Sequence, residues 1–159
     1  MALKNFSWVL PAQLAGSGIP GQFSGDECYL RTDIEELSTF GVKHLVSLQK
    51  PHESTDSFCK ANKIVWKYFP IPDFGVPENE TDFSVLIDEI IEKIKRSESV
   101  CVHCHAGVGR TGIVLSCVMG KLFMLSGKKA ITAVRRTRQA LDTDAQELFV
   151  ISFLGEYEY

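Results

Sequence analysis

Val100-Cys101-Val102-His103-Cys104-His105-Ala106-Gly107-Val108-Gly109-Arg110-Thr111-Gly112 is the stretch from which the fold can be read. Ser99 to His103 is an apolar run of strand length, and Arg110 to Leu125 is nearly continuous apolar sequence of helical length with a basic first residue. Between them a cysteine and an arginine bracket five small or loop-forming residues, so the chain is expected to turn there from strand to helix. Gly107 and Gly109 can take backbone conformations closed to other residues. The amides of His105, Ala106, Gly107, Val108, Gly109 and Arg110 can then converge into a nest at the positive end of the helix, a setting that binds phosphate or sulfate.

A thiol at the mouth of such a nest lies in a positive field that favours its anion, so Cys104 is expected as a thiolate at neutral pH. Arg110 adds a planar fork able to grip two phosphoryl oxygens, and the Thr111 hydroxyl is expected to reach back toward the sulfur. Upstream, Asp73 stands between Pro72 and Phe74-Gly75-Val76-Pro77, a setting that suits a carboxyl held partly out of water on a loop that can close. Taken alone, a surface turn aspartate is the better reading of that residue, and the cysteine loop reverses the preference.

These residues carry a resemblance. His103-Cys104, five residues, Arg110 and Thr111 resemble the His-Cys-x5-Arg-Ser/Thr signature of cysteine-dependent protein tyrosine phosphatases, and Ile71-Pro72-Asp73-Phe74 resembles their general-acid loop. Asn5-Phe6-Ser7-Trp8-Val9-Leu10-Pro11, Gly41 to Leu48 and Gln146-Glu147 extend the likeness to the small atypical dual-specificity phosphatases. The resemblance implies one catalytic domain over residues 1–159, with Cys104 forming a cysteinyl-phosphate and Asp73 serving first as acid, then as base. It implies no cofactor and no metal, and a phosphorylated protein as substrate, through phosphotyrosine and phosphoserine or phosphothreonine. Family members carry an Arg-Pro-Gly turn followed by an acidic residue and a glutamine near the cleft. Here Arg138-Gln139-Ala140-Leu141-Asp142 stands one residue shorter, leaving Asp142 and Gln146 as the candidates for positioning water.

Three further motifs read as accidents. Cys101-Val102-His103-Cys104-His105 fits patterns for haem attachment and, in its first four residues, for a redox pair. Three strand steps of about 3.3 Å separate the two α-carbons by about 10 Å, beyond the roughly 7 Å a disulfide tolerates. Cys101 alternates with Val100 and Val102 as a core residue. Gly16-Ser17-Gly18-Ile19-Pro20-Gly21 is a literal G-x-G-x-x-G, but Pro20, Gly21 and Gly25 deny it the helix a dinucleotide site needs. It reads as a surface connection, where the family resemblance places a strand and turn.

The rest of the chain alternates strands with helices. Glu27 to Phe40 reads as a helix stopped by Gly41, Val42 to Leu48 as a strand, Ser54 to Ala61 as a short helix, and Ile64 to Phe69 as a strand. Asn79 is a plausible cap for a helix to Lys95 with Phe83, Leu86, Ile87, Ile90, Ile91 and Ile94 on one face, and helices follow near Lys128 to Arg138 and Thr143 to Glu156. The expected fold is a single-domain α/β protein, protein tyrosine phosphatase-like, its central mostly parallel sheet covered by helices on both faces. Cys104 and Asp73 then fall at carboxyl ends of strands, where ligands gather in such sheets.

With 159 residues, 45% hydrophobic and 23% charged, the chain can bury one core but not comfortably two. A formal charge of −3 argues against a nucleic-acid partner. No basic-then-apolar leader opens the sequence, and Ile113 to Leu125, the most apolar segment, is too short to span a bilayer. Gly155 to Tyr159 carries no prenylation box. The expectation is a soluble cytoplasmic monomer with no membrane partner, with access to the nucleus open. Its five cysteines are expected reduced, Cys117 as packing, with Cys28 and Cys59 as traps for an oxidised Cys104 only if close to it. His103 is expected to bond the loop backbone rather than a metal, His105 to point outward, and His44 and His52 carry no signal. Lys128, Lys129, Arg135, Arg136 and Arg138 form a basic cluster, read first as a solvated face and second as an attractor of anionic substrate.

Other functions stay open alongside. A phosphoprotein-binding pseudo-phosphatase requires a lost acid or nucleophile, and Cys104, Arg110 and Asp73 are all present. Phosphoinositide phosphatases of the superfamily place lysine inside the loop and RNA 5′-end phosphatases an asparagine before the arginine, where this chain has none and Gly109 respectively.

Overall fold

Alternation along three neighbouring strands divides the molecule into two apolar layers. Val46, Leu48, Val100, Val102 and Cys104 point into one cluster, while Leu45, Cys101 and Ala15 point into the other. The computed structural model describes residues 3–22 and 26–155. Gly25, Glu156 and the rest of the C-terminal segment read above lie outside the described residues.

The strands are β1 (Ser7–Leu10), β2 (Leu14–Ser17), β3 (His44–Ser47), β4 (Val65–Tyr68) and β5 (Val100–His103), in the sheet order β1-β2-β5-β3-β4. Only β1 runs antiparallel to its neighbour. The helices are α1 (Glu27–Thr39), α2 (Thr55–Ala61), α3 (Glu80–Lys95), α4 (Gly109–Phe123), α5 (Gly127–Arg135) and α6 (Asp144–Leu154). Leu30, Ile34 and Leu37 of α1 and Cys59 of α2 join the smaller cluster, whereas α3 to α6 supply the larger one, so both faces are covered as expected. The shared register of Ser17, His103 and Ser47 aligns the carboxyl ends of β2, β5 and β3 at one edge.

Local chemistry explains the boundaries. Gly41, with φ +90°, ends α1 where the sequence placed its stop. Asn79 caps α3 by accepting from the Asp82 amide at 3.0 Å. Asp26, Ser126 and Thr143 do the same for α1, α5 and α6. Helices α2 and α4 lack such a side-chain cap, and at α4 the leading amides remain for the loop before it. No single helix is long and apolar enough to cross a membrane among the described residues, and α4 is buried from Gly109 through Gly120 as the core helix.

One reading is corrected and one strand was missed. Residues 14–21, spanning the G-x-G-x-x-G, are buried rather than a surface connection, because Leu14–Ser17 is an interior strand paired with both β1 and β5. The turn that follows opens no helix at Gly21, which agrees with dismissing a dinucleotide site. Strand β1 was not anticipated from residue patterning. Its hairpin to β2 turns through Ala12 with φ +59°, a position no glycine advertises.

Candidate active site

Between β5 and α4 the loop carbonyls are drawn outward one after another. The Cys104 carbonyl lies 3.0 Å from His103 Nδ1, His105 accepts from the Ile19 amide at 3.0 Å, and Ala106 accepts from Asn5 Nδ2 at 2.9 Å. Gly107 accepts from Arg138 Nη2 at 2.7 Å, and Val108 accepts from the amides of Gly112 and Leu141, both at 3.0 Å. The amides of Ala106, Gly107, Val108 and Gly109 donate to no backbone carbonyl among the described residues. A loop with every carbonyl tied outside and these amides uncommitted is organised for an anion.

Two glycines are dictated by their surroundings. Gly107 has φ +80° and faces the Ser17 carbonyl, which any Cβ would strike. At Gly109 a Cβ would run into the Asp142 carboxylate and the Gln146 amide. Asp142 and Gln146 therefore stand directly against the loop, although the shorter turn before them departs from the family pattern.

Gln146 is fully buried. Its Oε1 accepts from the Asp142 amide at 2.7 Å and its Nε2 donates to the Gly75 carbonyl at 3.1 Å, tying the α6 start to the Asp73 loop.

Arg110 and Asp73 meet across the mouth. Arg110 Nη2 lies 3.0 Å from Asp73 Oδ1, with side-chain exposures of 5% and 63%. The expectation of a carboxyl partly withdrawn from water is thus corrected. Asp73 sits on the exposed crest of its loop, beside Phe74 at φ +57°, and the apolar residues around it do not cover it. Arg110 is further held by Gln49 Oε1 at 2.7 Å and by the Ile71 carbonyl at 3.3 Å. Gln49 also donates to His105 Nδ1 at 3.3 Å, so His105 is exposed at the rim but has a partner.

His103 is fully buried, and desolvation pushes its pKa down to about 4, so the ring is neutral. Its bond to the Cys104 carbonyl agrees with the expected support of the loop. Thr111 does not agree. Its Oγ1 is buried with no hydrogen-bond partner among the described residues, so the anticipated contact with sulfur is absent.

Lys128, Lys129, Arg135 and Arg136 are exposed, as expected of a solvated face, and only Arg138 leaves the basic cluster. Arg138 is buried, and its guanidinium donates to the carbonyls of Gly16 (2.6 Å), Asn5 (3.0 Å) and Gly107 and to Ser7 Oγ at 2.9 Å. It stitches the N-terminal hairpin to the phosphate loop. Arg135 donates to the Ala140 carbonyl and pairs with Glu147 at 2.8 Å. Arg138 is neither a solvated helix face nor a free attractor, whereas Arg135 stays on the exposed face, paired with Glu147.

The cysteines separate by environment. Cys104 is 2% exposed and packs in the larger cluster, while Cys59 and Cys101 lie in the cluster on the other side of the sheet. That placement removes Cys59 as a trap. Burial pushes the thiols of Cys59 and Cys101 up to about 12 and about 11, and that of Cys117 well up.

Sequence reasoning missed Gln49, whose neighbours offered no motif, and misassigned Arg138, whose charge masked a buried role. Asn5 had entered only as part of a resemblance. Its contact with Ala106 spans 101 residues, a distance no local pattern crosses. Among the described residues no three His, Cys, Asp or Glu side chains gather into a metal-binding group.

The family model described as PTP-SAK, Swiss Army Knife protein, DSP-PTPase phosphatase domain, matches residues 3–150. Protein tyrosine phosphatase domain-containing protein 1 of Bos taurus is 27% identical over 137 residues, which cover 76% of this chain and 17% of that protein. The chain spans less than half the length of several such curated relatives. Among solved structures, kinase associated phosphatase with its catalytic site cysteine changed to serine superposes with TM-score 0.79 at 22% identity, covering 94% of this chain and 93% of that one. Tk-PTP in the active form gives TM-score 0.78 at 23% identity, covering 94% and 95%. These likenesses establish a shared fold.

Proposed function

Because the chain belongs to the DSP-PTPase phosphatase domain family of the Swiss Army Knife proteins, we propose that it hydrolyses phosphomonoesters on proteins through a cysteinyl-phosphate, without a metal. The substrates proposed are phosphotyrosine and phosphoserine or phosphothreonine, met by a monomer in the cytoplasm or nucleus. Within the family, Asn5 to Pro11, Gly41 to Leu48 and Gln146-Glu147 resemble the small atypical enzyme VHZ, dual specificity phosphatase 23.

The observation that carries the reading is the outward pairing of every carbonyl from Cys104 to Val108. The uncommitted amides then meet three equatorial phosphoryl oxygens, while Cys104 Sγ attacks phosphorus in line. The S–P bond forms as the P–O bond to the leaving group breaks, and Asp73 gives its proton to the departing oxygen. In the second step Asp73 takes a proton from water, whose oxygen attacks phosphorus and expels the Cys104 thiolate. Arg110 changes partner on this path. It holds Asp73, Gln49 and the Ile71 carbonyl in the structure, and its fork turns to two phosphoryl oxygens when phosphate enters. Gln146, anchored to Asp142 and Gly75, keeps the acid loop and the α6 start in step and suits the water-positioning role together with Asp142.

The test is hydrolysis of para-nitrophenyl phosphate in chelator by the wild type, Cys104→Ser and Asp73→Ala, with vanadate as competitor. Metal-independent turnover that the serine change abolishes is expected. Phenol is a better leaving group than an alkyl alcohol, so phosphotyrosine peptides should turn over faster than phosphothreonine peptides of the same sequence. An inert wild type that still binds vanadate would instead leave a phosphoprotein-binding protein.

A further inference from the structure

Cys104 and His103 are adjacent in sequence but point to opposite faces of the sheet. Cys104 packs toward α3 to α6, whereas His103 shares its face with Leu45 and Cys101, on the side of α1 and α2. Among the described residues the side-chain hydrogen bonds of His103 go to neutral groups. Its Nε2 lies 2.5 Å from Ser47 Oγ, the residue aligned with it across β3 and β5. Ser47 Oγ in turn accepts from Trp66 Nε1 at 2.8 Å, reached diagonally from the edge strand β4.

The protons in this chain have only one consistent arrangement. A backbone carbonyl can only accept, so His103 Nδ1 must carry the hydrogen that reaches the Cys104 oxygen. In a neutral ring Nε2 is then the acceptor, and Ser47 must donate to it. The Ser47 oxygen, its hydrogen spent, is left to accept from an indole N–H, which can only donate. Ser47 and His103 are both fully buried, and Trp66 is half-buried. Were the ring in its other tautomer, the Nδ1 lone pair would face the Cys104 carbonyl and repel it, loosening the first peptide of the loop.

We infer that Trp66 and Ser47 are positioning residues for Cys104, acting through His103 to fix its tautomer and hold the first carbonyl of the phosphate loop. The inference rests on Cys104 being the nucleophile of the proposed phosphatase. It gives the edge strand a part in catalysis from the face opposite the thiol. Successive donors polarise one another, so the Trp66 bond strengthens the Ser47 bond to His103.

The experiment combines nitrogen-15 resonances of the His103 ring with a double-mutant cycle on para-nitrophenyl phosphate hydrolysis. In the wild type at neutral pH, Nδ1 should be protonated and Nε2 bare. Ser47→Ala should lower kcat/KM about tenfold and Trp66→Phe less, with the double variant no worse than Ser47→Ala alone. Both single variants should mix the ring tautomers. A wild-type ring protonated at Nε2 overturns the inference without any variant having to fold, as do folded variants with an unchanged ring spectrum or strictly additive losses. If the wild type hydrolyses nothing, the functional reading fails while the ring spectra still decide the relay.

Discussion

The guanidinium of Arg110 and the carboxylate of Asp73 lie 3.0 Å apart, one nearly buried and the other mostly in water. The two groups proposed to act on opposite ends of the scissile bond are therefore each other's partner in this structure. Exposure screens the pair, so its contribution to stability is small, and its importance is as competition for the phosphate site.

Removing the carboxylate charge should separate binding from catalysis. Asp73→Asn is expected to lower kcat on para-nitrophenyl phosphate by about a hundredfold or more, since general acid catalysis is lost. Vanadate inhibition should be at least as tight, because Arg110 is released from a competing anion. Steady-state kinetics with vanadate titration checks both, and weaker vanadate binding would contradict the competition.

Thiol labelling should discriminate among the five cysteines. Burial holds Cys59, Cys101 and Cys117 as neutral thiols, and Asp26 beside Cys28 raises that thiol despite its exposure. Iodoacetate at neutral pH should modify Cys104 first, and phosphate should protect it. Mass spectrometry of the labelled peptides reads the order, and urea should erase it.

Acid should weaken the fold through His103. Its folded pKa of about 4 lies below the ordinary 6.5, so between these values the unfolded chain binds more protons than the folded one. The stability present above pH 6.5 is lost as pH falls, by about 3 kcal/mol near pH 4. Urea titrations from pH 7 to pH 4 should show this loss, reduced in His103→Asn.

The loop glycines should be intolerant for different reasons. Gly109→Ala should displace Asp142 and Gln146 and lower activity with modest loss of stability, whereas Gly107→Ala meets the Ser17 backbone at positive φ and should destabilise by about 2 kcal/mol or more. Gln146→Ala, which strips the Asp142 amide and the Gly75 carbonyl of partners, should cost about 1 to 3 kcal/mol and lower kcat. Thermal unfolding alongside kinetics separates the effects.

Local pattern carried the architecture. The apolar run at Val100 to His103, the helical length after Arg110, the Asn79 cap and the Gly41 stop are each decided by residues within one or two turns of themselves, so they could be read directly. The spacing from Cys104 to Arg110 likewise pointed to the family, because the cysteine, the five-residue loop and the arginine are contiguous in the sequence. Tertiary structure alone decided what surrounds them. Arg138 looked like surface charge until burial gave it the carbonyls of Asn5, Gly16 and Gly107. Asp73 looked sheltered until its loop proved exposed, and Thr111 was assigned a bond the helix does not make. Gln49 and Trp66 carry no motif and Ser47 entered only within a resemblance, since a hydrogen bond formed across a sheet depends on register and facing, which arise only when distant strands pair.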